Sequence, residues 1–302
     1  MNKNLSDNQY GLLVKGIAGF YYVERAGIIH ECKARGIFRK QNCKPLPGDH
    51  VKIKVDNDGY DIIDSICERK NTLQRPPISN VDILAIVSSI KDPDINLFLV
   101  DQLITIATIK GIEPILIITK EDLADVTFVK KIYENIGIKV FVSSPKNDII
   151  VDEFKNTISG KICVLAGNSG VGKSTFINKL SSQLNLQTGE TSKKLGRGRH
   201  TTRQVELFKL GNGYIADTPG FSSLDITTVS DIKKENLQFG FAEFQKYSSN
   251  CKFTTCSHTS EKGCAVIQAV TDGYISCERY NNYKLMYDNI KDLKSWKKKK
   301  SV

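Results

Sequence analysis

The chain runs Lys161-Ile162-Cys163-Val164-Leu165-Ala166 and then Gly167-Asn168-Ser169-Gly170-Val171-Gly172-Lys173-Ser174-Thr175. The first six residues read as a buried strand, and Phe176 to Leu184 beyond the glycines carries helical periodicity. Strand, glycine-rich loop and helix are the setting that the pattern G-x-x-x-x-G-K-[ST] requires. Glycines let successive N–H groups curl around a phosphate with no Cβ in the way. The helix N-terminus adds partial positive charge at the same point. In such a loop Lys173 reaches the β- and γ-phosphates of a nucleoside triphosphate and Ser174 holds Mg²⁺. Roughly one unrelated chain of this length in a hundred matches the four fixed positions by chance, and the strand–loop–helix setting lowers that further.

Around this loop the chain alternates. Apolar runs at 81–90, 113–118, 138–142 and 214–216 read as buried strands, and helical periodicity fills 97–110, 121–136, 149–158 and 173–184. Alternation of this kind predicts an α/β domain over 81–228, a parallel sheet with helices on both faces. The run at 214–216 ends in Asp217-Thr218-Pro219-Gly220. There Asp217 can organise Mg²⁺ and the Gly220 N–H can meet a γ-phosphate, as in the second switch of a GTPase. The guanine-reading pattern [NT]-K-x-D is absent after Gly220. It occurs upstream instead, where Ile115-Leu116-Ile117-Ile118 leads into Thr119-Lys120-Glu121-Asp122. That is the carboxyl end of a buried strand, where open α/β sheets bind ligands. Asp122 can accept from guanine N1–H and the 2-amino group, and the stem of Lys120 can lie along the base. A further strand ends in Ser143-Ser144, where such folds touch the base edge. Motifs on four strand ends in shuffled order predict a circularly permuted GTPase that binds GTP and GDP.

The flanks differ in texture. Residues 1–67 carry about five short strands; in Val51-Lys52-Ile53-Lys54-Val55 apolar and basic residues alternate, as on a half-buried strand. An OB-type β-barrel suits this, and an SH3-like barrel fits nearly as well. OB barrels bind nucleic acid by stacking and charge, for which Tyr10, Phe20, Tyr21, Tyr22, Phe38, Arg35, Arg39 and Lys40 are candidates; each aromatic taken singly is better placed in the barrel core. Residues 68–80, with Pro76-Pro77, read as a linker. Residues 229–302 read as mostly helical, with Met286, Ile290 and Leu293 on one stripe before Trp296 and a run of lysines. In this last part Cys251, Cys256, His258 and Cys264 offer three thiolates and an imidazole. A saturated Cys₃His set is a structural zinc site with no open catalytic position. Cys277 is a possible substitute ligand, and Lys252, Lys262 and Arg279 could meet phosphates, although an ordinary solvated charge is the better placement for each taken singly.

Composition narrows the class. The 302 residues are 40% hydrophobic and 25% charged, which excludes collagen-like and wholly disordered chains. No apolar run approaches the 18 or so residues of a membrane span, and Met1 to Asn8 lacks a signal-peptide core. A cytoplasmic, monomeric protein with no membrane partner is expected. The net charge is +10, apportioned as +2 over 1–67, +3 over 68–228 and +5 over 229–302. Such an excess suits a polyanionic partner, most often nucleic acid.

Taken together, Thr119-Lys120-Glu121-Asp122, Ser143-Ser144, the loop from Gly167 to Thr175, Gly198-Arg199-His200-Thr201-Thr202, Asp217-Thr218-Pro219-Gly220 and the Cys/His cluster resemble one family, the small-ribosomal-subunit-dependent GTPases known as RsgA or YjeQ. The resemblance covers nearly the whole chain. It implies GTP hydrolysis stimulated by the small ribosomal subunit and its rRNA, and a late role in assembling that subunit. It also implies that Thr201 or Thr202 gives the first switch's hydroxyl to Mg²⁺ and that His200 acts in catalysis; contact of His200 with rRNA or phosphate is the alternative. Two positions depart from common GTPase patterns. Thr119 stands where most have Asn, and Phe221 stands where Ras-like enzymes carry a water-orienting Gln. Two other readings stay open: another P-loop NTPase or kinase, and an RNA-binding adaptor with a vestigial nucleotide site.

Overall fold

The computed structural model describes residues 10–40, 43–55, 61–74, 76–143, 149–182, 205–217 and 232–299. The chain divides into two compact units. One holds residues up to Ile83 with 151–165 and 177–221; the other holds 84–150, 166–176 and 222–302.

In the first unit, β1 (Tyr10–Ile17), β2 (Phe20–Arg25) and β3 (Ile28–Ala34) form an antiparallel meander. A single helical turn, α1 (Ile37–Lys40), follows. Then β4 (His50–Val55) and β5 (Asp61–Ile66) complete the wall. β5 lies parallel to β3 and antiparallel to β4, and β4 returns to β1, so the five strands close on themselves. Closure removes the exposed strand edges of an open sheet. The alternation in β4 reads out as expected: Val51 and Ile53 join Leu13, Tyr21, Val23, Cys32, Phe38 and Ile63 inside. Tyr21 and Phe38 are thus core, whereas Phe20 is exposed beneath the Lys33 ammonium, 5.8 Å from its ring centre.

The stretch expected as a linker is built, not slack. β6 (Thr72–Gln74) and β7 (Pro77–Ser79) form a hairpin. Asp49, fully buried, grips it: one carboxylate oxygen accepts from Arg69 Nε at 2.7 Å and Ser79 Oγ at 2.6 Å, the other from Leu46 N and the Arg69 guanidinium, each at 2.7 Å. Asn80 Nδ2 donates to the Gly48 carbonyl at 2.8 Å. Gly48 has φ +92°, and a Cβ there would sit 2.0 Å from the Ser79 carbonyl oxygen. Only glycine permits that approach.

Three strands continue this unit. β11 (Ile162–Ala166) pairs in parallel with β13 (Gly213–Asp217), and β12 (Glu206–Leu210) pairs antiparallel with β13. β12, which the apolar-run reading did not pick out, also meets barrel strand β1 at Lys15 and Glu206, whose side chains form a 2.8 Å ion pair. Glu24 of β2 accepts from Lys209 Nζ and Tyr214 Oη, both at 2.9 Å.

In the second unit, β8 (Ile83–Ser89), β9 (Glu113–Thr119) and β10 (Lys139–Ser143) lie side by side. β9 and β10 run parallel, with Ser143 opposite Thr119. The apolar runs of β8 and β9 are buried on both faces, as a covered parallel sheet requires, whereas in β10 Phe141 is buried and Val140 and Val142 are half-buried. Helix α2 (Leu97–Ile109) starts at Asn96, whose side chain accepts from Leu99 N at 3.0 Å, an N-cap that satisfies one orphan donor. Helix α3 (Thr127–Glu134) begins later than the periodicity suggested and buries Val129, Ile132 and Tyr133. α4 (Ile149–Thr157) and α5 (Lys173–Ser182), whose residues are divided between the two units, match their expected spans closely.

The C-terminal part of this unit is helical, as expected. Two 3₁₀ segments, Lys234–Gly240 and Ala242–Phe244, precede α6 (Gln245–Ser248), α7 (Ala265–Thr271) and α8 (Cys277–Lys299). Phe241, Phe244, Tyr280, Tyr283, Met286 and Ile290 form its core. Phe244 stacks on Phe241 at 5.1 Å and meets Tyr283 edge-on at 4.9 Å. Arg279 does not face phosphate as the sequence suggested. It is 1% exposed and held by Asp101 of α2 and Glu243. No helix among the described residues is long and apolar enough to cross a membrane.

Candidate nucleotide and metal sites

β11 ends at Ala166 and the chain turns at once into the glycine loop. Gly167, Gly170 and Gly172 have φ of +145°, +81° and +89°. A Cβ on Gly167 would lie 2.1 Å from the Val87 carbonyl oxygen, so this first glycine is demanded by packing. α5 then opens on Lys173, with Phe176 N donating to the Gly172 carbonyl at 2.9 Å. The Lys173 ammonium bends back over the loop to the carbonyls of Gly167, at 2.7 Å, and Asn168. Burial holds its pKa below the ordinary lysine value. A half-buried cation over a glycine-rich loop that opens a helix N-terminus suits an anion. Ser169, Gly170, Ser174 and Thr175 are exposed, so the mouth of the loop is open to a ligand. The donor set suits a triphosphate, and the Ser174 hydroxyl suits its Mg²⁺.

Thr119, the last residue of β9, is buried, and its hydroxyl donates to the Val171 carbonyl inside the loop at 2.6 Å. Gly172 lies beside it at φ +89°, a conformation that favours glycine. The hydroxyl that stands here in place of the usual amide thus braces the loop. Lys120 follows in the left-handed region at φ +59°, and its ammonium reaches the Asp92 carbonyl. Glu121 is half-buried, and Asp122 is exposed in the turn beyond. Ser143 is buried at the end of β10, level with Thr119. Thr119 and Val171 thus join the first fragment to the loop, and 119–122, 143 and 167–175 belong to one unit.

Asp217 ends β13, opposite Glu206 of β12. Ser144, His200, Thr201, Thr202, Gly220 and Phe221 lie outside the described residues.

Cys251, Cys256, His258 and Cys264 bring their ligand atoms within 4.8 Å of one another. Cys251 Sγ lies 3.8 Å from Cys264 Sγ, and His258 Nδ1 lies 3.6 and 3.4 Å from those two sulfurs. A tetrahedron with metal–sulfur bonds of about 2.3 Å and metal–nitrogen bonds of about 2.0 Å has edges of roughly 3.8 Å and 3.5 Å, so the set fits a tetrahedral cation. Cys277 is not part of it; it opens α8, exposed.

Two partners of this cluster escaped the sequence reading. His258 Nε2 pairs with Gln238 Oε1 at 2.8 Å, which makes Nε2 the protonated nitrogen and leaves Nδ1 free to ligate. Glu261 accepts from the amides of Ser257 at 2.7 Å and of Thr259 and Ser260 at 3.1 Å, holding the turn in which His258 takes φ +57°. Burial would raise the Glu261 pKa, but the Ser257 hydroxyl and these amides hold it at about 2. A glutamate three residues after a ligating histidine is the only sequence signal for it, and Gln238 leaves none.

A P-loop braced by a T-K-x-D segment that precedes it in the chain is the arrangement of a circularly permuted P-loop GTPase. A family model described as RsgA GTPase matches residues 66–227, and RsgA N-terminal domain matches 10–63. A third, 50S ribosome-binding GTPase, matches 162–299. The chain is 44% identical over 292 residues to Small ribosomal subunit biogenesis GTPase RsgA 2 of Listeria innocua, covering 94% of this chain and 98% of that one. It is 43% identical over 295 residues to the RsgA of Streptococcus pneumoniae, covering 96% and 98%. Among solved structures, YloQ, a circularly permuted GTPase, superposes with a TM-score of 0.80 at 35% identity over 97% of this chain and 98% of that one. YjeQ from Thermotoga maritima gives 0.79 at 32% identity, covering 93% and 98%. The chain belongs to the RsgA family of GTPases.

Proposed function

We propose that this protein binds GTP with Mg²⁺, hydrolyses it to GDP and phosphate, and does so on the small ribosomal subunit during its late assembly in the cytoplasm. The observation that supports this most is the Thr119–Val171 hydrogen bond, which couples a guanine motif to a phosphate loop. The relatives named for the small subunit align over nearly the whole chain, and so outweigh the large-subunit wording of the family model matching 162–299.

In this reading 167–175 cradle the phosphates and Lys173 neutralises their charge. Asp122 reads the guanine edge, Lys120 lies along the base, and Ser143 with Ser144 borders it. Ser174, a hydroxyl of Thr201 or Thr202, and Asp217 hold Mg²⁺, which supplies charge neutralisation at the phosphates when bound. Gly220 meets the γ-phosphate, and His200 serves the attacking water. Cys251, Cys256, His258 and Cys264 hold one structural zinc. Residues 1–67 form the RNA-binding barrel, 68–80 join it to the GTPase domain of 81–228, and 229–302 form the zinc domain. The protein acts as a monomer.

GTP turnover measured with and without purified small subunits tests the reading. The subunits are expected to raise the rate at least tenfold, and His200→Ala is expected to remove most of that gain. Asp122→Asn is expected to weaken GTP by about 100-fold or more, because a site built to pair the guanine edge is left mismatched, and to favour xanthosine triphosphate. Equal turnover with and without subunits, together with unchanged nucleobase preference in Asp122→Asn, would refute it.

A further inference from the structure

The connection between β8 and α2 lies against both halves of the nucleotide site. Its residue Asp92 gives its main-chain carbonyl to the Lys120 ammonium. Its residue Pro93 supplies the nearest heavy atom, at 3.9 Å, to a Cβ built on Gly170 of the phosphate loop. Yet the tip itself is exposed: Lys91, Asp92, Pro93 and Asp94 all face solvent. An exposed loop of four residues does not hold a carbonyl in place unaided.

The anchor is Ser89. It is the last residue of β8, with no exposed surface, and its hydroxyl donates to the Pro93 carbonyl at 2.7 Å. This closes the turn by a side chain where no regular ladder continues. Beside it, Ile90 N donates to the Thr119 carbonyl at 3.0 Å, which ties the start of the connection to the residue before Lys120. The Lys91–Asp94 ion pair at 2.9 Å is exposed and contributes little.

We propose that Ser89 is a positioning residue for the nucleobase: its bond to Pro93 fixes the Asp92 carbonyl, which holds Lys120 extended along the base. The inference rests on reading 119–122 as the base motif. Ser89 touches neither base nor phosphate. Its effect falls chiefly on the nucleoside half of the ligand, since the Gly167–Lys173 bond and the Thr119–Val171 brace do not pass through it and Gly170 has no Cβ to meet Pro93.

The test uses the full chain and two probes, GDP for the whole site and inorganic tripolyphosphate for the phosphate half, with Ser89→Ala, Lys120→Met and the double variant. Loss of one buried hydrogen bond predicts GDP binding about five- to tenfold weaker in Ser89→Ala, expressed as faster release and a raised KM for GTP. Basal kcat at saturating GTP and tripolyphosphate affinity are expected to stay within twofold of wild type. In the Lys120→Met background Ser89→Ala is expected to add nothing, because both changes break one chain of contacts. Equal weakening of GDP and tripolyphosphate by Ser89→Ala, or full additivity in the double variant, would overturn the proposal in favour of general damage to the site. Unchanged GDP affinity in Ser89→Ala with a loss in Lys120→Met would sink the Ser89 inference alone. Unchanged GDP affinity in both Lys120→Met and Asp122→Asn would sink the base-motif reading beneath it.

Discussion

Stripping the cation from Cys251, Cys256, His258 and Cys264 is expected to unfold the segment 249–264 while the rest of its unit keeps its fold. In isolated zinc-finger peptides the metal contributes about 10–16 kcal/mol, which is the whole of their folding free energy. Here the segment has other supports. Tyr283 Oη donates to the Ser257 carbonyl at 2.7 Å, Tyr280 Oη to the Thr259 carbonyl at 3.3 Å, and the Phe244 ring meets His258 edge-on at 5.8 Å. Those contacts lie on the α8 and 3₁₀ side, whose aromatic core needs no metal. The loss is therefore local. Without a cation the ligand atoms of the set still crowd within 4.8 Å of one another, and burial pushes the Cys256 and Cys264 thiols up, so burying them without a metal leaves their sulfurs unsatisfied. Hydrogen exchange after chelation checks this. Protection is expected to vanish at the amides of Lys252, Cys256 and Ser257, which donate to Gly263, Phe253 and Glu261, and to persist along α8. A chromogenic dye should report one zinc released per chain. Gln238→Ala, which removes the partner of His258 Nε2, should weaken the metal about 10- to 100-fold without touching a ligand. Protein that binds no stoichiometric metal, or whose exchange pattern ignores the chelator, would contradict the assignment.

What could be read in the chain followed from how local each signal is. The phosphate loop is contiguous, and its strand and helix adjoin it, so residues 161–184 nearly suffice. The apolar runs of β8, β9 and β11 are buried on both faces, and an all-apolar run is a strong local mark. The roles missed here depend on partners far along the chain. Thr119 stands out in the sequence only as a departure from Asn, and its bond to Val171 spans 52 residues. Residues 68–80 looked like a linker because they are polar. Yet Asn71 satisfies both the N–H and the carbonyl of Val81 with its side-chain amide, at 2.9 and 2.8 Å, and Ser79 and Asn80 are likewise buried and bonded. Polar residues that pair inside a fold are indistinguishable in sequence from polar residues in water. β12, Glu206 to Leu210, mixes charged and apolar residues and is only five residues long, so no run stands out.

Arg279 is the sharpest instance, and its removal is expected to be the most damaging single substitution in the second unit. The sequence places it beside a zinc cluster in the most basic part of the chain, which suggested phosphate. The structure places its guanidinium between two carboxylates instead. Nε donates to Glu243 Oε1 at 2.6 Å, one terminal nitrogen bonds Asp101 Oδ1, and the other donates to Glu243 Oε2 at 3.3 Å. Asn282 Nδ2 covers the second Asp101 oxygen at 2.7 Å. The guanidinium also lies over the Phe241 ring at 4.9 Å and the Tyr133 ring at 5.8 Å. Burial alone would lower the Arg279 pKa, but Asp101 and Glu243 hold it above the ordinary value. At Asp101 burial wins over the arginine and raises the carboxyl. Desolvation of these ions cancels much of their attraction, so the intact cluster adds little net stability. Breaking it is another matter. Arg279→Met would leave two buried carboxylates facing each other with no cation, a loss of about 3–5 kcal/mol, which for a domain of this size lowers Tm by about 10 °C or more. Arg279→Lys keeps the charge but not the fork, and is expected to recover only part of the loss. Asp101→Asn and Glu243→Gln combined with Arg279→Met remove the stranded charges and should recover most of it. Thermal unfolding of the four proteins decides the matter: a Tm within 2 °C of wild type for Arg279→Met alone would mean the cluster is solvated, and a triple variant no better than the single one would mean that lost packing on Phe241 and Tyr133, not stranded charge, carries the cost.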